Sequence, residues 1–195
     1  THFMDGFEYS KVKKIVESYQ DRFVKLVLAK PLLADAEDYQ AVAKAVVDII
    51  SSYDNGWDDG ETAVCLMGHG TEAAANQVYL RLQEELRRMD AKMRGKDKPC
   101  RYFIGTVEAE PTIKDVMAEM AKHGSYRRVV LEPLMVVSGD HANHDMAGED
   151  ENSWKSIFKA EGYSVECILK GLGEFPAIRN IYADHVQAAI EELSE

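Results

Sequence analysis

The chain has 195 residues, 46% of them hydrophobic, and a formal net charge of −11. That length supports one large domain or two small ones around a real core. The acidic balance argues against a nucleic-acid partner, which would need clustered Lys and Arg, and no apolar run approaches the ~20 residues that cross a bilayer.

The chain opens Thr1-His2-Phe3-Met4, which reads as the tail of a strand–loop unit, so the true beginning is expected to lie upstream. A cytoplasmic location is expected, with a periplasmic one left open because a leader would not be visible. Residues 8–21 carry Val12, Ile15, Val16 and Tyr19 at helical spacing. A strand is expected at 24–29, then a loop at Pro31-Leu32-Leu33. Asp35 or Asp38 can cap a helix that runs to about Ile50 through Val42, Val46 and Ile49. Residues 51–60 are dense in turn formers and mark the expected boundary. On this reading 1–60 is the remainder of an N-terminal α/β lobe and 61–195 a complete C-terminal one.

From residue 61 strands and helices alternate. Strands are expected at 63–67, 101–106, 129–137 and 164–169. Each leads to a helix: 72–93, 112–122, 154–160 and 176–193, the last with Pro176 suited to its first turn. Such alternation implies a parallel sheet flanked by helices. Cys65, Cys100 and Cys167 are too scattered for a disulfide framework, and Cys65 and Cys167 read as small buried hydrophobes in strands. His123 and His185 are expected on exposed helix faces.

Three apolar runs end in a residue able to hold a metal. The segments are Met67-Gly68-His69-Gly70-Thr71, Gly105-Thr106-Val107-Glu108, and Ser138-Gly139-Asp140-His141-Ala142-Asn143-His144-Asp145. In a parallel α/β sheet the carboxyl ends of the strands share one edge. Two imidazoles and a carboxylate with open positions suit a catalytic divalent metal. No HExxH pairing points to a zinc hydrolase.

These segments, with Glu132-Pro133-Leu134-Met135 leading into the third, resemble the anaerobic sirohydrochlorin cobaltochelatases of the class II tetrapyrrole chelatases. The stretches Glu149–Ser156 and Gly171–Arg179 and the opening His2-Phe3-Met4-Asp5-Gly6-Phe7-Glu8-Tyr9 resemble that family too. The resemblance spans essentially the whole chain. It implies two flavodoxin-like lobes around a cleft, with the front of the first lobe missing. It also implies an ATP-independent enzyme that inserts Co²⁺ into sirohydrochlorin or precorrin-2 for cobalamin, with no nucleotide. Iron insertion for sirohaem, with Fe²⁺ or Ni²⁺ as alternative metal substrates, and a non-catalytic carrier are the competing readings.

By this resemblance His69, Glu108 and His141 hold the metal, and His69, His141 and Glu8 carry the chemistry. Gly68, Gly70, Gly139 and Ala142 would let the flat macrocycle approach closely. Asp140 would either orient His141 or cap the following turn, and His144 would either support the site or simply open a helix. The role of His2 is open. The polycarboxylate substrate would find its counter-charges in Arg127, Arg128 or Lys170, or in backbone N–H groups at helix starts. A homo-oligomer is expected.

Overall fold

The computed structural model describes residues 2–53, 57, 60–71 and 76–194. Its centre is a parallel sheet of β1 (Thr62–Gly68), β2 (Tyr102–Thr106), β3 (Arg128–Pro133) and β4 (Ser164–Cys167), in the order β2-β1-β3-β4. β1 and β2 are buried along their whole length, as expected where helices cover both faces of a parallel sheet. The register sets Gly68 beside Thr106 and Met67 beside Pro133, so the carboxyl ends of β1, β2 and β3 are level. The chain winds one way from β1 to β2 and the other way from β1 to β3. The crevice outside β1 and β3 is therefore the topological switch point, where ligands bind in open α/β sheets.

Period-two alternation sends Val64 and Leu66 to one face of the sheet and Ala63, Cys65 and Met67 to the other. The first face is covered by α2 (Ala36–Ser52), α3 (Gln77–Arg94) and α6 (Pro176–Ser194), through residues such as Val46, Leu82 and Ile178. The second is covered by α4 (Ile113–His123) and α5 (Trp154–Ala160), through Val116, Met120 and Phe158. Each fully buried side chain of this size contributes about 1.5–3 kcal/mol. Two of the helix starts are fixed by reciprocal caps. Asp35 and Asp38 form a capping box on α2, and Thr112 and Asp115 form one on α4. The result is a four-stranded parallel sheet flanked by helices, a flavodoxin-like lobe.

Several boundaries differ from expectation. Residues 24–29 form no strand: Val24 is fully exposed, and β-forming side chains without a neighbouring strand leave the backbone nothing to pair with. The strand-like contact of the first segment is instead a single bridge between Met4 and Leu33, which respectively precede α1 (Phe7–Glu17) and α2 in the chain. β3 stops at Pro133 rather than 137. The apolar residues beyond it pair with the loop after β4, Leu172 N–H donating to Met135 O and Gly173 N–H to Val136 O. That loop likewise shortens β4 to Cys167. The expected start of α3 at 72–75 lies outside the described residues, as do 54–56 and 58–59 of the boundary segment. Trp57, between them, is buried in the core beneath α2.

His185 is not a surface residue. Its Nε2 meets Asp38 Oδ1 at 2.9 Å in a nearly buried pair that joins α6 to α2. His123 does lie near the surface, against Glu119.

Candidate active site

His69 is the first residue beyond β1, and the backbone places Glu108 beside it. Val107 N–H donates to Gly68 O (3.0 Å) and Glu108 N–H to His69 O (2.9 Å), so the β1–β2 pairing continues past both strands. Thr106 Oγ1 donates to Ala109 O (2.6 Å) and accepts from Ala109 N–H (3.2 Å), closing the turn that carries Glu108. His141 follows β3, where the chain enters a short π-helical turn, Ala142–Met146. π-type turns often mark functional sites.

These three residues converge. His69 Nδ1 lies 3.6 Å from Glu108 Oε2, and the His69 and His141 rings meet edge-to-face with centroids 4.8 Å apart. One ligand atom from each lies within 4.8 Å of the others, and all three remain open to solvent. The hydrogen bonds also settle which ring nitrogens are free. His69 Nδ1 pairs with Gly70 O (3.0 Å) and His141 Nδ1 with Asp145 Oδ2 (2.6 Å). A carbonyl or an ionised carboxylate can only accept, so each Nδ1 donates, and in the neutral ring the lone pair is then on Nε2.

Asp145 is the functional neighbour the sequence reading missed. Asp140, expected to orient His141, instead pairs with His144 (2.7 Å), and both are well exposed. Helical geometry explains the exchange. Residues four apart share a face, which pairs 141 with 145 and 140 with 144, whereas 140 and 141 diverge. The four-residue spacing from His141 to Asp145 was the available signal.

The small residues also have other roles than close approach of a ligand. A Cβ at Gly68 would stand 2.4 Å from the Tyr79 ring, so that space is filled by protein. Gly70 has φ +90°, and a Cβ there would meet Thr106 Oγ1 at 2.8 Å and Ala109 N at 2.9 Å. Ala142 is fully buried in the core under α5. Of the four, Gly139 is the one with open space around its Cα, and Gly70 does line the cleft. Arg128 opens β3 and Arg127 precedes it, which puts both at the sheet edge opposite the site. They pair with Glu166 and Glu61. Lys170 lies over the rings of Tyr53 and Phe175.

A cleft of about 540 Å³ opens beside His69 and Glu108, within the usual range for small-molecule sites. Most of the remaining lining comes from the first residues, His2, Phe3, Met4, Phe7, Glu8 and Tyr9, joined by Gly70, Thr71 and Tyr79. Phe3 stacks on Tyr79 (centroids 6.0 Å) where the two parts meet. Tyr79 is held by Gly70 N–H donating to its hydroxyl (3.2 Å), and burial pushes its phenol above the usual value. Glu8 is exposed and paired with Lys11 at 2.8 Å. Among the described residues no helix is long and apolar enough to cross a membrane.

Comparison with known proteins agrees with this geometry. The chain is 34% identical over 194 residues to the sirohydrochlorin cobaltochelatase of Salmonella typhimurium, covering all of this chain and 68% of that protein. It is 33% identical over 196 residues to sirohydrochlorin cobaltochelatase CbiKC of Nitratidesulfovibrio vulgaris, covering 64% of it. The chain thus spans about two thirds of the length of these relatives. Residues 1–191 match the family described as Cobalt chelatase (CbiK), and the chain belongs to that family.

Proposed function

We propose that this chain inserts Co²⁺ into sirohydrochlorin, without a nucleotide, as a step toward cobalamin. The observation that carries the reading is the convergence of His69, Glu108 and His141 within 4.8 Å at the switch point, beside the cleft. Two Nε2 lone pairs and a carboxylate offer three ligands of suitable hardness for a first-row divalent ion. They leave positions open for water and then for pyrrole nitrogens. Such a site holds the incoming ion, strips part of its hydration, and yields it to the macrocycle. Asp145 fixes the orientation of the His141 ring, as a carboxylate behind a ligand histidine does. Glu8, on the cleft side formed by the start of the chain, takes a pyrrole proton.

The division near residues 51–60 belongs to the same reading, with 1–60 contributing part of a first lobe whose α2 packs onto the sheet of the second. The cleft's mixed lining supports it, because residues 2–4, 6–9 and 69–71 all face the space. Assembly into a homo-oligomer is also part of the proposal. Exposed Phe7, Ile15 and Phe23 leave apolar surface for a neighbour.

The test is anaerobic absorption spectroscopy of sirohydrochlorin with Co²⁺, Fe²⁺ or Ni²⁺ and this chain. The expected result is metallation faster than the protein-free control, fastest with Co²⁺. His69→Ala and His141→Ala should abolish the acceleration while leaving the circular dichroism and melting curve intact. Faster iron than cobalt insertion would assign the sirohaem route instead. Tight metal binding with no acceleration by any metal would assign a carrier.

A further inference from the structure

We infer that His2 is the second proton acceptor of the metallation, acting beside Glu8. The inference rests on the chelatase reading and adds a residue to it. Insertion of a divalent ion breaks two pyrrole N–H bonds and forms metal–nitrogen bonds, so two protons must be placed. His69 and His141 are poor candidates while they hold the ion. Each already donates its Nδ1 proton, to Gly70 O and to Asp145, and each needs its Nε2 lone pair for the metal. Glu108 is committed to the same ion. The acceptors therefore have to come from elsewhere in the cleft.

Outside His69 and Glu108, the titratable groups of the lining are His2, Glu8, Tyr9 and Tyr79, and burial pushes the Tyr79 phenol up so that it stays protonated. Tyr9 is excluded as a base. Its hydroxyl donates to Ala29 O (3.0 Å), and burial pushes its phenol above the usual value, so it stays protonated. His2 is held in place although it lies at the start of the chain. Its carbonyl accepts from Leu32 N–H (2.9 Å) and from the Tyr182 hydroxyl (3.0 Å), and its ring meets the Tyr9 ring edge-on at 5.6 Å. Among the described residues neither His2 ring nitrogen has a hydrogen-bond partner. A fixed imidazole with an uncommitted lone pair lines the space a macrocycle would fill, apart from the metal-holding histidines.

In the step itself, one pyrrole nitrogen gives its proton to a His2 ring nitrogen and the other to the Glu8 carboxylate. The two freed nitrogen lone pairs take the ion as it leaves His69, Glu108 and His141. The protonated His2 and Glu8, both in contact with solvent, then return their protons to water. No oxidant or reductant is involved.

The experiment compares the full chain with His2→Ala and His2→Gln, using Co²⁺ and sirohydrochlorin without oxygen. Both variants should bind Co²⁺ and the tetrapyrrole as the unmodified chain does but metallate about 100-fold more slowly, in line with loss of a general base. Added imidazole should restore part of the rate to His2→Ala, a response that a packing defect would not give. Wild-type rates in both variants would overturn the inference, as would slow variants that imidazole fails to rescue. An unmodified chain that fails to accelerate metallation would instead overturn the chelatase reading, and this inference with it.

Discussion

Replacing Glu132 with Gln should flatten the pH dependence of stability. Glu132 lies on β3, fully buried, on the same face as Val130 in the core covered by α2, α3 and α6. Neither carboxylate oxygen has a hydrogen-bond partner among the described residues. Loss of hydration pushes its carboxyl up from 4.5 to about 8. For an acid raised by folding, the sign is destabilising. Between the two values the unfolded chain has released a proton that the folded chain retains, so stability falls as pH rises, by about 1.4 kcal/mol per pH unit. The loss starts near pH 4.5 and is complete above about pH 8. Between pH 5 and pH 7 it amounts to about 3 kcal/mol, a large part of a typical domain's stability. Gln keeps the shape and the unpartnered polar atoms of the neutral acid but cannot ionise. Urea unfolding of both proteins across this range isolates the effect, because the other titrating groups cancel. The expected result is that Glu132→Gln gains about 3 kcal/mol on the unmodified chain between pH 5 and pH 7. Curves that stay parallel to within about 0.5 kcal/mol would refute a neutral, unpartnered carboxyl at this position.

Asp145→Ala should weaken Co²⁺ binding about 10- to 100-fold by freeing the His141 ring, whereas Asp140→Ala should leave it unchanged; an anaerobic Co²⁺ titration separates the two. Gly70→Ala should cost about 2 kcal/mol or more, from its φ of +90° and the 2.8 Å approach to Thr106 Oγ1. It should also weaken Co²⁺ binding by displacing His69, so thermal melting and the same titration should both respond. Asp38→Ala should cost about 1–2 kcal/mol at neutral pH by removing the α2 cap. Burial acts to raise the Asp38 carboxyl, but bonds from Asp35 N–H, His185 and Ala34 N–H outweigh it and hold it below the ordinary value. A depressed acid stabilises above its unfolded value, so this difference should narrow as pH falls below about 4, as read by urea unfolding at pH 7 and pH 3.

The sheet of the second part was legible because strands buried on both faces read as short continuous apolar runs between amphipathic helices. His69, Glu108 and His141 were legible for a related reason. Each ends an apolar run, and parallel strands share one carboxyl edge, so the chemistry of the residues and the alternation of elements sufficed to bring them together. The strand expected at 24–29 failed because β propensity carries no information about whether a neighbour exists to pair with.

Other features depended on contacts distant in sequence. That Gly68 makes room for Tyr79, that His185 buries against Asp38, and that Glu132 stands unpartnered all follow from which helix lies on which face. The exchange of Asp140 for Asp145 behind His141 followed from the phase of one helical turn. The sequence by itself determined the element types and the donor set, because both are encoded in local periodicity and side-chain chemistry. The tertiary structure alone decided the partners of those donors and the lining of the cleft by His2. Those depend on strand order, register and long-range packing, which local patterns do not contain.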